Sequence, residues 1–521
     1  MSQYLMTIDA GTGSGRAVIF DLEGQQKAIS QQEWTHHSED GVPNSMNFDW
    51  DANWKLICEC VQDAMAQLNA SGDEILAVTA SSMREGIVLY DADGKELWAV
   101  ANVDARADKQ VSELKNSFAD IEQDFYEQSG QTFALGALPR VMWLKQNHPE
   151  VYEKSASISM ISDWVLAKLS NVIATDPSNG GTTGIFDLEK RDWASAMADK
   201  VGIKADIFPP VLEPGEVLGP VSESAAAQTG LSTNTKVTMG GGDVQLGAAG
   251  LGLVNPGDVA ILGGSFWQQV VNIDCKVAPP KNMEIRVNPH VIPGQSQAEG
   301  ITFFSGLVMR WFRDAFCDME KQQAAEQDVD AYTLLEQKAQ NVPVGSHGIM
   351  PIFSDDMKYG KWYHAAPSFI NLSIDPEVCN RASMFRALQE NACLVSAINL
   401  DKIAKFSGIK FDSIIFAAGA AKGFLWPQIL ADVTGKTVKI PKVIEATALG
   451  GAMAAGVGAG VYSSLADAAA ELVQWDRTYE PNMDNFEQYQ QIKTKWQAVY
   501  QKQLELVDAG LTTSMWQAPG L

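Results

Sequence analysis

One short pattern occurs twice in this chain, half its length apart. An apolar run, Tyr4 to Ile8, enters Asp9-Ala10-Gly11-Thr12-Gly13-Ser14-Gly15 and leaves as a second apolar run, Ala17 to Phe20. After Pro256-Gly257-Asp258 the layout returns: Val259 to Leu262, then Gly263-Gly264-Ser265, then Phe266 to Val271. Each reads as strand, glycine-rich turn, strand. A repeated opening unit in a chain of 521 residues, more than one core usually supports, predicts two related domains with a boundary near residues 245 to 255. The expected division is 1–248 and 249–521. Within the first half, strand-like runs (Ile75 to Ala80, Ser157 to Ile161) alternate with helical patterns (Trp54 to Leu68, Pro139 to Gln146), which predicts the α/β class.

Charge and composition then exclude whole classes of function. A formal net charge of -25 opposes binding to nucleic acid over a broad surface, because that binding neutralises phosphates with Lys and Arg. Any phosphate site must be local. The first nine residues carry neither the basic nor the apolar region of a secretory signal, so a cytoplasmic protein is expected. The uncharged stretch Ala446 to Ala466 is long enough to span a bilayer, but its Gly, Ala and Ser content predicts a close-packed internal helix and no membrane association. Six scattered cysteines lack metal-ligand spacing and fit reduced thiols. The polar segment Gln322 to Asp330 reads as a surface helix or loop.

The first turn can aim several N–H groups and hydroxyls at one anion, with Arg16 adding charge, although a plain hairpin would use the same residues. It is neither a Walker A loop nor a Rossmann fingerprint. Asp9, at the end of the first strand, suits a Mg2+ ligand or an Asx turn. Asp243 follows Gly240-Gly241-Gly242, a run that is costly unless something approaches the backbone, and is a candidate general base or a turn residue. Ile414 to Ala420 runs into small residues ahead of the amphipathic Leu425 to Val433, which suits either a nucleotide lying on the backbone or tight strand–helix packing. Gly456 to Gly460 reads as a helix end.

Together, Asp9 to Ser14, Gly242-Asp243, Gly263-Gly264-Ser265 and Ala418-Gly419-Ala420 resemble, in order and spacing, the FGGY carbohydrate kinases, which include glycerol, xylulose and ribulose kinases. Ser82 to Gly86, Ala101 to Arg106, Gly264 to Gln269 and Gly510 to Ser514 resemble the branch acting on the quorum-sensing signal autoinducer-2, an open-chain dihydroxy-dione. The resemblance implies two actin-like (ribonuclease-H-like) domains with the active site in the cleft between them, substrate held mainly by 1–248 and ATP mainly by 249–521. It implies Asp243 as base, with Arg84, Glu85, Asp243 and Trp267 on the substrate. Thr12, Gly13, Ser14 and Arg16 would face the phosphates, Gly264, Ser265, Gly306, Gly419 and Gly423 would line the nucleotide site, and Asp9 and Asp243 would hold Mg2+. A protein of the sugar phosphotransferase system is a candidate regulator.

Four positions depart from the family pattern: Gly264 stands where many relatives have Thr, Ala418 and Ala420 flank the one remaining glycine of a usual triple, and Val244 removes a hydrogen-bonding group used for glycerol. The alternatives are another sugar or polyol kinase, for xylulose, ribulose or glycerol, and a non-catalytic actin-like ATP-binding sensor, which has no need of Asp243 as a base.

Overall fold

The computed structural model describes residues 3–134, 136–354 and 364–516. The apolar run at the start forms β1 (Tyr4–Ala10), buried from Leu5 onward, as expected of a strand covered on both faces. It turns through Gly11 to Gly13 into antiparallel β2 (Ser14–Asp21), followed by β3 (Gln26–Glu33), and pairs on its other side with parallel β4 (Ile75–Ser82). With β5 (Val217–Pro220), β6 (Lys236–Thr238) and β7 (Gly241–Gly242) the first sheet has the order β5-β6-β4-β1-β2-β3, with β7 extending the ladder on β4.

The second sheet contains β8 (Val259–Gly263), β9 (Trp267–Asp274), β10 (Arg286–Pro289), β11 (Gln295–Thr302), β12 (Ser413–Ala417), β13 (Thr437–Pro441) and β14 (Trp475–Tyr479), in the order β10-β11-β9-β8-β12-β13-β14. Six strands of one sheet match six of the other. In each, the opening strand is antiparallel to the second, the second antiparallel to a third, and the opening strand parallel to a fourth that is itself parallel to a fifth. An antiparallel edge strand closes each series. The repeat legible in the two turns is therefore a repeat of whole sheets, the pattern of two actin-like domains.

Each sheet is covered by its own helices. Helix α1 (Trp50–Leu68) buries Ile57, Val61 and Ala64 with the first sheet. The long α3 (Arg381–Ser407) and α4 (Leu425–Thr434) bury Leu388, Ile403, Ile429 and Leu430 with the second. The halves meet through α2 (Asp243–Gly250) and α5 (Ala446–Ala459). Although α5 belongs to the second half of the chain, Ala448, Leu449 and Ala452 share a buried cluster with Leu5 and Ala77, and the Thr7 hydroxyl donates to the Ala448 carbonyl at 2.8 Å.

Helix α5 occupies most of the uncharged stretch, which is thus a close-packed internal helix. It ends at Ala459, capped by Gly460 in the left-handed region at φ 82°, and a separate helix follows from Leu465 to Leu472. Among the described residues no helix is long and apolar enough to cross a membrane. The polar segment near Gln322 lies largely in an exposed helix, Asp318–Gln327.

Helices α2 and α5 cross backbone to backbone. A Cβ on Gly450 would lie 1.9 Å from the Leu246 carbonyl oxygen, and one on Gly250 would lie 2.0 Å from that of Ala446. No side chain fits there without separating the helices. Gly450→Ala is expected to lower the unfolding free energy by about 1–3 kcal/mol, seen as a lower urea midpoint. An unchanged midpoint would mean that this contact does not hold the halves together.

Candidate active site

Asp243 is the first residue of α2, reached through Gly240-Gly241-Gly242. The glycines are required by protein packing: a Cβ at Gly240 would lie 1.8 Å from the Ala80 carbonyl oxygen, and one at Gly241 2.7 Å from Val291. The Gly242 N–H donates to Ser178 Oγ at 2.8 Å, which fixes the turn. Gly241 and Asp9 flank Ser81 of β4 from opposite sides, so the two carboxylates approach the same end of the first sheet. The Asp243 side chain is 42% exposed. The protein around it nevertheless pushes its pKa up to about 6, chiefly through desolvation, with Arg84 opposing the rise and Asp9 and Glu85 reinforcing it.

Asp9 is nearly buried. Its Oδ2 accepts from Arg16 Nε at 2.8 Å, whereas its buried Oδ1 has no hydrogen-bond partner. Arg16 also reaches Glu445 at 2.6 Å, across to the second half of the chain. Its guanidinium, expected to face phosphates, is thus engaged by two carboxylates. The first turn stands exposed at Thr12 and Gly13, with the Thr12 hydroxyl accepting from Asn102 Nδ2 at 3.0 Å. Asp9, Thr12, Gly13, Ser14, Arg16 and Asp243 line neither of the two cavities described next.

The first cavity, about 560 Å³, lies between the halves. Arg84 and Glu85 enter it from the first half, and Phe266, Gln268, Arg286, Phe303 and Phe304 from the second. Its charged end is a crossed square. Buried Arg84 donates to Glu299 at 2.7 and 3.0 Å, Glu85 pairs with Arg286 at 2.5 Å, and Glu299 and Arg286 are register partners on β11 and β10. Glu299, completely buried, also accepts from Gln245 at 2.7 Å. Arg84 Nε lies 3.8 Å from Asp243 Oδ1, linking the square to the turn. Burial alone would raise the Glu85 pKa, but Arg286, Arg84 and Arg140 together hold it below the usual carboxylate value.

The second cavity, about 630 Å³, is lined entirely from the second half. It brings together Gly264, Ser265, Gly306, Gly419 and Gly423, with Arg310, Arg313 and Lys422 around them. Gly306 packs on the turn, since a Cβ there would lie 2.2 Å from the Gly264 carbonyl oxygen. Gly423 makes room for Glu336, whose carboxylate accepts from the N–H groups of Phe424 and Leu425 at the start of α4. A Cβ on Gly419 would have only the Gly263 carbonyl oxygen near it, at 3.9 Å, so this position opens into the cavity. Gly264 and Ser265 face this cavity and Phe266 faces the other, so one turn forms the wall between them.

Two expected positions are corrected. Trp267 is completely buried, packed on Phe416 at 5.0 Å and Trp426 at 4.7 Å in the core of the second domain. Strand alternation sends Phe266 and Gln268 into the first cavity and Trp267 to the opposite face. Val244 likewise points into an apolar cluster with Ala260, Val270 and Ile415 and touches neither cavity, which removes its bearing on glycerol. Arg286, Glu299, Phe303 and Phe304 gave no local signal in the sequence. Gln268 could have been found from the period of two along β9, which alternates it with Trp267.

The FGGY N-terminal domain profile matches residues 4–250 and the C-terminal domain profile residues 274–459. The chain belongs to the FGGY family of carbohydrate kinases. It is 58% identical over 520 residues to an autoinducer-2 kinase of Klebsiella pneumoniae subsp. pneumoniae, covering 99% of this chain and 97% of that one. It is 57% identical over 519 residues to an autoinducer-2 kinase of Escherichia coli O139:H28, covering 99% and 98%. A gluconate kinase from Lactobacillus acidophilus (TM-score 0.84, 19% identity, 99% of both chains) has the same fold. So does a xylulose kinase from Rhodospirillum rubrum (TM-score 0.84, 21% identity, 98% of this chain and 100% of that one).

An FGGY kinase uses ATP and typically a divalent metal. Among the described residues no group of three or more His, Cys, Asp or Glu is disposed to hold a metal ion. The pair Asp9 and Asp243, one oxygen of the former unpartnered, suits an ion that keeps waters and phosphate oxygens in its shell.

The electrostatics of Asp243 can be measured directly. Carboxyl-labelled aspartate followed by carbon NMR is expected to show a titration near pH 6 that is absent in Asp243→Asn. Arg84→Gln removes the charge that lowers this pKa and is expected to move the midpoint upward. A midpoint near 4, or a downward move, would contradict this account of the site.

Proposed function

We propose that this protein transfers the γ-phosphoryl group of ATP to a primary hydroxyl of autoinducer-2 in its open-chain form, 4,5-dihydroxypentane-2,3-dione. The observation that carries the reading is the wall Gly264-Ser265-Phe266. It separates a glycine-lined cavity with cationic side chains from a cavity with a charged end and an aromatic end. The first has the size and lining for a nucleotide, and the second suits a short, oxygen-rich chain that ends in a methyl group. The curated relatives similar to this chain along its length are described as autoinducer-2 kinases.

In this reading residues 249–521 hold ATP through Gly264, Ser265, Gly306, Gly419 and Gly423. The acceptor is gripped by both halves, where it was expected to be held mainly by 1–248. Arg84 and Arg286 donate to carbonyl and hydroxyl oxygens, and Glu85 accepts from a hydroxyl. Asp243 accepts the proton of the attacking primary hydroxyl, and a carboxylate with a pKa near 6 is largely ionised at neutral pH while remaining basic enough for the task. Mg2+, when bound by Asp9 and Asp243, would neutralise charge on the transferring phosphoryl group. Closure of the two halves would carry Thr12, Gly13 and Ser14 toward the phosphates and exclude water. Six unpaired cysteines and ATP as donor suit the cytoplasm.

A panel of acceptors read by mass spectrometry of phosphorylated product tests the substrate. The kcat/KM for the dihydroxy-dione is expected to exceed that for xylulose, ribulose or glycerol by at least about tenfold, with Asp243→Asn reducing turnover roughly 10^2- to 10^4-fold. Equal or faster phosphorylation of another acceptor would assign a different substrate, and full turnover by Asp243→Asn would remove it as the base. For the nucleotide cavity, Gly419→Val is expected to weaken ATP binding by calorimetry at least about tenfold while leaving acceptor binding within about twofold, since the new side chain enters only that cavity. Unchanged ATP affinity in a folded variant would move the nucleotide elsewhere.

A further inference from the structure

We propose that Trp516, in the C-terminal tail, is a specificity-determining residue that completes the aromatic wall for the methyl-ketone end of the acceptor. The proposal rests on the function proposed above. Helix α6 (Met483–Asp508) packs on the second domain, and the chain then turns back. The N–H groups of Leu511 and Thr512 donate to the Leu506 carbonyl at 2.9 and 3.3 Å, and Ser514 Oγ donates to the Trp516 carbonyl at 2.7 Å. This turn delivers the Trp516 side chain to the acceptor cavity. The indole stacks on Phe303, with centroids 5.6 Å apart and planes inclined by 26°. Phe303 in turn meets Phe266 edge to face at 5.9 Å, and Phe304 completes the set.

These four rings lie in the same cavity as Arg84, Glu85 and Arg286, the polar side chains that hold the acceptor's oxygens in the proposed function. One end of the cavity therefore recognises oxygen and the other recognises carbon. Phe266 remains 42% exposed, leaving apolar surface on this wall for a ligand to cover. Trp516 also packs in one cluster with Tyr126 and Ala134 of the first half, so a residue of the tail seals the seam between the halves beside the acceptor.

The test compares wild type, Trp516→Ala and Trp516→Phe in steady-state kinetics with the dihydroxy-dione. It adds competitive inhibition by 1-deoxy-D-xylulose and D-xylulose, which differ by a methyl against a hydroxymethyl group at one end. Trp516→Ala is expected to raise KM about tenfold with a smaller change in kcat, and to bring the two inhibition constants toward equality. Trp516→Phe is expected to retain most of the preference for the methyl compound. An unchanged KM and inhibitor ratio in Trp516→Ala, or a fall in kcat alone, would overturn the proposal. Should the wild type phosphorylate another acceptor and ignore the dihydroxy-dione, the proposed substrate fails. The inhibitor ratio, measured against that acceptor, then still decides whether Trp516 reads the methyl group.

Discussion

The active site depends on a contact with no side chains in it. Where α2 crosses α5, Gly250 and Gly450 let one helix backbone rest on the other, and two cores from distant parts of the chain are joined at that point. Asp243 begins α2, and the Thr447 hydroxyl at the start of α5 donates to its carbonyl at 3.1 Å. The carboxylate is therefore positioned by the crossing as much as by the glycine turn before it. A helix of eight residues packed in this way is a short, stiff arm, which is what a group needing placement to within a fraction of an ångström requires.

Around that arm, the charges are arranged so that each is held by a partner from elsewhere in the sequence. Arg84 and Glu85 are adjacent and opposite in sign, as are their register-paired partners Glu299 and Arg286, so the two pairs cross between the halves. Fully buried Glu299 needs both Arg84 and Gln245 to offset its desolvation, and this ties strand β11 to α2. Arg84 divides its charge between Glu299 and Asp243, so it only partly opposes the desolvation that raises the Asp243 pKa. Three non-glycine residues beside the cavities adopt positive φ: Glu85 at 67°, Phe304 at 57° and Ala418 at 73°. Such conformations persist where surrounding contacts overdetermine them. Glu85 is held by Arg286, and Phe304 by the rings of Phe266 and Phe303.

Much of this organisation was legible in the residues. The two strand–turn–strand units located the two sheets because a glycine-rich reversal between apolar runs has few alternative conformations. Gly264, Ser265, Gly306, Gly419 and Gly423 do meet in one cavity, and the composition of 446–466 identified a helix that packs by its backbone. What was not legible concerns direction and partners. Trp267 was assigned to the acceptor pocket, but its side chain faces the core because a strand residue one place along points the opposite way. Arg16 was expected to be open to phosphate, and the carboxylate that also engages it, Glu445, lies more than four hundred residues away.

The sequence by itself determined the class of fold, the internal repeat and the glycine turns, since these follow from local backbone freedom and the periodicity of apolar residues. It also marked Asp243 by its unusual glycine context. Only the tertiary structure decided which side chains share the acceptor cavity. Arg84 meets Glu299, Glu85 meets Arg286, and Trp516 reaches Phe303 after more than two hundred intervening residues. Nothing local encodes these meetings. They follow from how two sheets are set against each other by one glycine-lined crossing, and from which way each strand presents alternate residues to the space between them.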